Sequence, residues 1–271
     1  MGGGLPMRGG IGGLVVLLLV GFLLTQVGGS TGGTAGESTD LAAQCQTGED
    51  ANSDVDCARV AVINSVQSYW AQTLPEQGGR PYESAQTEFF SGSTTTGCGG
   101  ATSAVGPFYC PADGTVYLDT TFFDDMLEDR LGARGGPFSE AYVIAHEYGH
   151  HVQDLLGTSD RVRSEEGATS DSVRLELQAD CYAGMWASAA TSATDSTGDV
   201  AIISELTRDD IARAIDAAEA VGDDRIQQRS GVRVDSETWT HGSADQRERW
   251  FLTGYGADDM RACDTFGASS L

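Results

Sequence analysis

The stretch "AYVIAHEYGHHVQDLL", residues 141–156, holds three of the chain's four histidines within six residues, beside a glutamate. Ser139 as a candidate N-cap and Gly157 as a C-terminal stop predict one long helix around it. On a helix, His146 and His150 stand one turn apart on the same face, with about 6 Å between their Cβ atoms. That spacing lets two imidazoles converge on one tetrahedral metal ion. Glu147 is turned about 100° around the axis, where its carboxylate reaches a water on the metal rather than the metal itself. Gly149 removes a side chain between the two histidines and suits close approach of another backbone.

A tetrahedral site needs a third protein ligand, and the next helical stretch, "RLELQADCYAGMW", offers one. Glu176 and Asp180 are again four apart. Glu176 is expected to complete the metal site, and Asp180 to accept the outer N–H of a ligand histidine and fix its tautomer. Asp180, Asp171 and Glu165 compete with Glu176 for the ligand role. His151 points about 100° away from His150 and is expected to pack rather than bind metal. Tyr148 is a candidate for the cleft wall. His241, the remaining histidine, sits in "WTHGSADQ" just before a helix start, where a loop residue beside Gly242 can face the cleft.

Four motifs, "HEYGHHVQ", "RLELQADCYAGMWA", "GPFYCPADGTVYLD" and "THGSADQRERWF", occur in this order. Together they resemble the neutral zinc metallopeptidase family of bacterial single-pass membrane proteins, over roughly residues 55–268 and an N-terminal anchor. They are also similar to the wider gluzincin group, which draws its third ligand from an E-x-x-x-D pattern. The resemblance implies one Zn2+ per chain on His146, His150 and Glu176, with Glu147 as general base toward peptide bonds and His241 as hydrogen-bond donor to the oxyanion of the reacting carbonyl. It further implies that the strand "TVYLD" borders the cleft and pairs with an extended substrate.

Outward from these motifs the chain divides into four parts. Residues 1–10 are a short cytoplasmic lead. Residues 11–27, "IGGLVVLLLVGFLLTQV", form an uncharged apolar run long enough for a transmembrane signal anchor, a cleaved signal peptide being the alternative. The single Arg8 ahead of it places the N-terminus inside. Residues 28–54 are rich in Gly, Ser and Thr and read as a flexible linker. Residues 55–271 then form an extracytoplasmic catalytic domain on the cell membrane.

Within that domain, apolar residues at helical spacing predict a helix over 57–74, "TVYLD" (115–119) a strand, and 120–132 a helix. Further helices follow around the Glu176 motif, after Thr207 and Asp210, and after the capping-box pair Ser243 and Gln246. The fold class is therefore α+β, mostly helical: a zincin-like catalytic domain with a small sheet.

Six cysteines in an exported domain imply three disulfides. The local pairs are expected to be Cys45–Cys57 and Cys98–Cys110, leaving Cys181–Cys263. The net charge is −24, with 40 acids against 16 bases, every base an arginine. Such a chain repels phosphate backbones, which excludes nucleic acid as a partner class. The expected partners are a peptide or protein substrate and, through the N-terminal helix, the membrane. Two other readings remain open at this point: a non-catalytic exported protein stapled by zinc, and a zinc amidase acting on a non-protein amide.

Overall fold

The computed structural model describes residues 41, 44–193 and 202–271. The apolar run at 11–27 lies outside them. No helix among the described residues is long and apolar enough to cross a membrane.

Order begins earlier than composition suggests. A short helix, α1 (Gly48–Ser53), lies inside the stretch assigned to the linker, because Thr47 and Asp50 form a reciprocal capping box around its start. Asp54 then caps α2 (Val55–Thr73) by accepting from the N–H groups of Asp56 and Cys57. The Cys45–Cys57 disulfide ties the two segments together. The folded unit thus starts before residue 55. Local side-chain to backbone bonds order polar residues that carry almost no apolar burial.

Five strands follow: β1 (Gln86–Phe90), β2 (Ser93–Thr96), β3 (Gly99–Thr102), β4 (Phe108–Cys110) and β5 (Thr115–Asp119). The main sheet has the order β1-β5-β4, and β2 and β3 form a separate antiparallel hairpin. β1 runs parallel to β5 with Gln86 opposite Thr115, and β4 runs antiparallel with Phe108 opposite Tyr117. "TVYLD" is therefore the central strand, with a neighbour on each side. It cannot pair with a substrate, which corrects that expectation. A fully buried strand needs both ladders satisfied, and all five residues of β5 are buried. The edge strands of this sheet are β1 and β4. Residues 120–132 form only a one-turn π-helical segment, Phe123–Glu128, rather than the longer helix expected.

The remaining helices are α3 (Pro137–Leu156), α4 (Asp171–Ala189), α5 (Arg208–Ala220), α6 (Asp223–Arg229) and α7 (Ala244–Tyr255). α3 starts at Gly136 with Pro137 in its first turn, so Ser139 lies inside the helix and is not its cap. Pro at this position is preorganised for a helix start and needs no N–H partner. Gly157 ends the helix in the left-handed conformation, as expected. α5 and α7 begin on the capping boxes Thr207–Asp210 and Ser243–Gln246.

α3 packs on α2, α4 and α5, and α4 packs on α7. A single apolar core joins these faces, with Trp70, Tyr142, Ile144, Leu177, Trp186 and Phe251 fully buried. Two helix crossings depend on missing side chains. A Cβ on Gly149 would lie 3.0 Å from the Ala179 Cα, and one on Gly254 would lie 1.8 Å from the Cys181 oxygen. α4 is thus held at backbone contact between α3 and α7, and the two sequence motifs meet across that contact.

Candidate metal centre

α3 turns His146 and His150 toward α4, and the close crossing at Gly149 brings Glu176 to meet them. His146 Nε2 lies 3.1 Å from His150 Nε2 and 3.2 Å from Glu176 Oε2. His150 Nε2 lies 3.4 Å from Glu176 Oε1. All three residues are buried. Asp180 is one turn further along α4 and serves the ring from behind. His146 Nδ1–H donates to Asp180 Oδ1 at 2.8 Å. Asp171 and Glu165, the other acids considered, lie away from this group: Asp171 pins the preceding loop by accepting from the N–H groups of Arg163 and Ser164.

In the neutral rings, the nitrogens that face one another are the ones without a hydrogen. Gln153 donates both amide hydrogens, to the Leu175 carbonyl at 2.7 Å and to Gln178 Oε1 at 3.2 Å. Its Oε1 must then accept, and the donor is His150 Nδ1–H at 2.9 Å. Both Nε2 lone pairs and the Glu176 carboxylate therefore converge in a buried space. Burial opposes charge on His146, but Asp180 and Glu176 outweigh it and raise its pKa to about 9. Burial likewise resists ionisation of Glu176, yet His150, His241 and His146 hold its carboxyl well below the usual range. The cluster draws in positive charge, whether a proton or a cation.

Glu147 adjoins this group without belonging to it. Burial pushes its carboxyl upward, partly opposed by His146 and His150. The backbone N–H of Tyr109 on β4 also opposes this shift. Its Oε2 is buried with no partner at all. A buried carboxylate oxygen left unmatched costs free energy unless a ligand or water meets it.

His241 lines the same pocket as His146, Glu147, His150 and Glu176. Its Nδ1 edge is occupied by Thr240 Oγ1 at 2.6 Å, with Asp223 Oδ1 3.7 Å away. Asp223 Oδ2 also accepts from the backbone N–H groups of Thr240, His241 and Gly242, at 2.8, 2.7 and 3.0 Å, and so fixes the whole loop. Gly242 adopts a φ of 90°, which the turn requires. The pocket's other walls are Val105, Pro107, Phe122, Val143 and Val221. Tyr148 does not reach it: the ring is fully buried and its hydroxyl meets Thr87 Oγ1 at 2.6 Å. His151 packs between Tyr109 and the Glu83 carbonyl, away from the metal group.

A family model described as "Putative neutral zinc metallopeptidase" matches residues 1–266. The chain belongs to this family. Uncharacterized protein Rv2575 of Mycobacterium tuberculosis is 51% identical over 229 residues, which is 84% of this chain and 76% of the relative. Uncharacterized protein YpfJ of Escherichia coli K12 is 45% identical over 215 residues, 77% of this chain and 70% of the relative. No solved structure matches.

The zinc implied by the metallopeptidase family fits the donor set. Tetrahedral zinc with bonds of ~2.0–2.2 Å holds its ligands about 3.3 Å apart, and the three donor separations here run from 3.1 to 3.4 Å.

Three residues important to this geometry escape the motif reading. Arg247 grips Asp180 with two bonds, Nε to Oδ2 at 2.8 Å and Nη2 to Oδ1 at 2.9 Å. Its signal was present: Ala244, Arg247, Trp250, Phe251 and Gly254 form the buried stripe of α7, and an arginine on such a stripe demands an acid. Gln153 sits three residues after His150, within reach on the same helix face. Asp223 carried no local signal, because it meets His241 only through the fold.

Proposed function

We propose that this metallopeptidase-family chain is a zinc-dependent endopeptidase tethered outside the cytoplasm, with Glu147 as its general base. The observation that carries the reading is the buried His146–His150–Glu176 group with the unmatched Glu147 oxygen beside it in one pocket. A zinc ion held by the two Nε2 atoms and Glu176 would supply Lewis acidity toward water and toward a scissile carbonyl.

The chain's own groups divide the remaining work. Glu147 Oε2 takes the proton from the attacking water and returns it to the leaving amine. The Tyr109 N–H favours the charged carboxylate while this happens. Asp180, backed by Arg247 and Tyr142, keeps His146 in the tautomer that presents Nε2. His241 donates to the carbonyl oxygen as negative charge develops there. An extended substrate lies along the outer edge of β4, whose neighbouring residues 105–107 already line the pocket. The valines and Phe122 exclude water around the reacting bond.

The tether and location rest on the apolar run at 11–27 and on three disulfides, which suit an oxidising compartment. The test is digestion of a peptide library by the detergent-solubilised full chain, with the cut bonds mapped by mass spectrometry. Cleavage that is abolished by a chelator and by Glu147→Gln is the expected result. Absence of any chelator-sensitive cleavage overturns the endopeptidase reading.

A further inference from the structure

The C-terminal segment ends far from the reacting groups in sequence, yet it is bonded to the metal group through two side-chain amides. The Cys181–Cys263 bond fixes this segment to α4. The Cys263 carbonyl accepts from Gln178 Nε2 at 2.9 Å. Gln178 Oε1 accepts from Gln153 Nε2 at 3.2 Å, and Gln153 Oε1 accepts from His150 Nδ1–H at 2.9 Å. Gln153 is fully buried and Gln178 nearly so. The direction of each amide follows from its neighbours. Cys263 offers a carbonyl, so Gln178 must turn its NH2 outward and its oxygen toward Gln153. Gln153 then presents its NH2 to Gln178 and to Leu175, leaving its oxygen for the imidazole. Both amides are thus locked against flipping, and the imidazole can present only Nε2 to the metal group.

Resting on the zinc-centre reading above, we propose that Gln178 is a positioning residue for His150. It transmits the fixed position of the disulfide-locked C-terminal segment through the Gln153 amide. Without Gln178, Gln153 loses one of the two groups that dictate its orientation. Its amide can then turn and present NH2 to Nδ1, which favours the wrong tautomer. Groups one hydrogen bond removed from a metal ligand, as Gln153 is, typically change metal affinity by about 10–100-fold when replaced, and Gln178 acts through that group.

The experiment measures zinc Kd on the full chain by competition with a chromophoric chelator, and the visible spectrum of the Co2+-loaded protein. Gln153→Leu, Gln178→Met and the double variant are compared with wild type. Gln178→Met is expected to weaken zinc by about 10-fold or more and to alter the Co2+ spectrum. In the Gln153→Leu background the same replacement is expected to add nothing, because the relay is already cut. Gln178→Glu keeps the acceptor for Gln153 but cannot donate to the Cys263 carbonyl, so it cuts the relay and is expected to weaken zinc as Gln178→Met does. It also keeps the test standing if Gln178→Met does not fold, since a wild-type zinc Kd for Gln178→Glu overturns the relay. An unchanged Kd and spectrum in Gln178→Met, with only a lower melting temperature, makes the residue structural and overturns the proposal. Equal effects of Gln178→Met in both backgrounds overturn the relay as well. Wild-type protein that binds no zinc overturns the underlying metal-centre reading, which keeps the two failures distinct.

Discussion

Four hydrogen bonds converge on the buried carboxylate of Asp180. It accepts from His146, from the Tyr142 hydroxyl at 2.5 Å and twice from Arg247. Burial alone would raise its pKa, but Arg247 and His146 outweigh it and depress it to about 2. The charge is therefore kept only while its partners stay. Arg247→Met is expected to destabilise the fold by ~3–5 kcal/mol, because it strands a buried carboxylate. Urea denaturation followed by circular dichroism reads this directly, and an unshifted midpoint would contradict it. Glu147→Gln is nearly isosteric but cannot take a proton. It is expected to keep fold and zinc content while kcat falls by ~10²–10⁴; wild-type turnover would remove Glu147 from the mechanism. His241→Ala is expected to retain zinc and to lower kcat by ~10²–10³ with a smaller change in KM. Zinc loss in that variant would make His241 a ligand, and unchanged kinetics would leave it with no catalytic part.

At the scale of elements, the site exists because α3, α4 and α7 approach closer than side chains normally allow. Gly149 faces the Ala179 backbone, and Gly184 and Gly254 let α4 and α7 meet. Gly149→Val places two methyls where the Ala179 backbone stands. It is expected to cost ~1–3 kcal/mol through overpacking and to weaken zinc as Glu176 moves off the histidines. Thermal melts and zinc titration check both halves. Stability loss without any change in zinc affinity would show that the crossing does not set the ligand geometry. The sheet shows the same dependence on arrangement. "TVYLD" is legible as a strand, but only the pairing of β1 and β4 on its two sides decides that it is the interior strand.

On the whole molecule, the Cys181–Cys263 bond closes a loop of 82 residues around the ligand helix and α7. In the chain-entropy model a loop of that size restricts the unfolded state by ~4–5 kcal/mol. At 2–4 °C per kcal/mol for a chain of this size, the Cys181→Ser, Cys263→Ser double variant is expected to melt about 10 °C lower or more. A shift of only a degree or two would show that packing alone holds the C-terminal segment. Zinc removal acts in the same direction by linkage. With free zinc at 100 times Kd, binding contributes ~2.7 kcal/mol, so a chelator is expected to lower Tm by ~5–10 °C. Differential scanning calorimetry measures it, and a chelator-insensitive melt would argue against a bound structural or catalytic ion.

The sequence by itself determined the local items. His146, Glu147 and His150 share a helix whose period puts two imidazoles on one face, so their spacing is readable without any fold. The capping boxes at Thr207 and Ser243, the stop at Gly157 and the mostly helical class are local in the same sense, because each depends on residues within a few positions. What only the tertiary structure decided is which distant groups these local pieces meet. Asp223 reaches His241 across 18 residues, Arg247 reaches Asp180 across 67, and Gln178 reaches Cys263 across 85. The sheet's edges fell to β1 and β4 rather than to "TVYLD", and the supposed linker yielded a capped helix. The reason is physical. Helical period and capping are fixed by covalent geometry within one or two turns, whereas hydrogen-bond partners across a core are chosen by how whole elements pack.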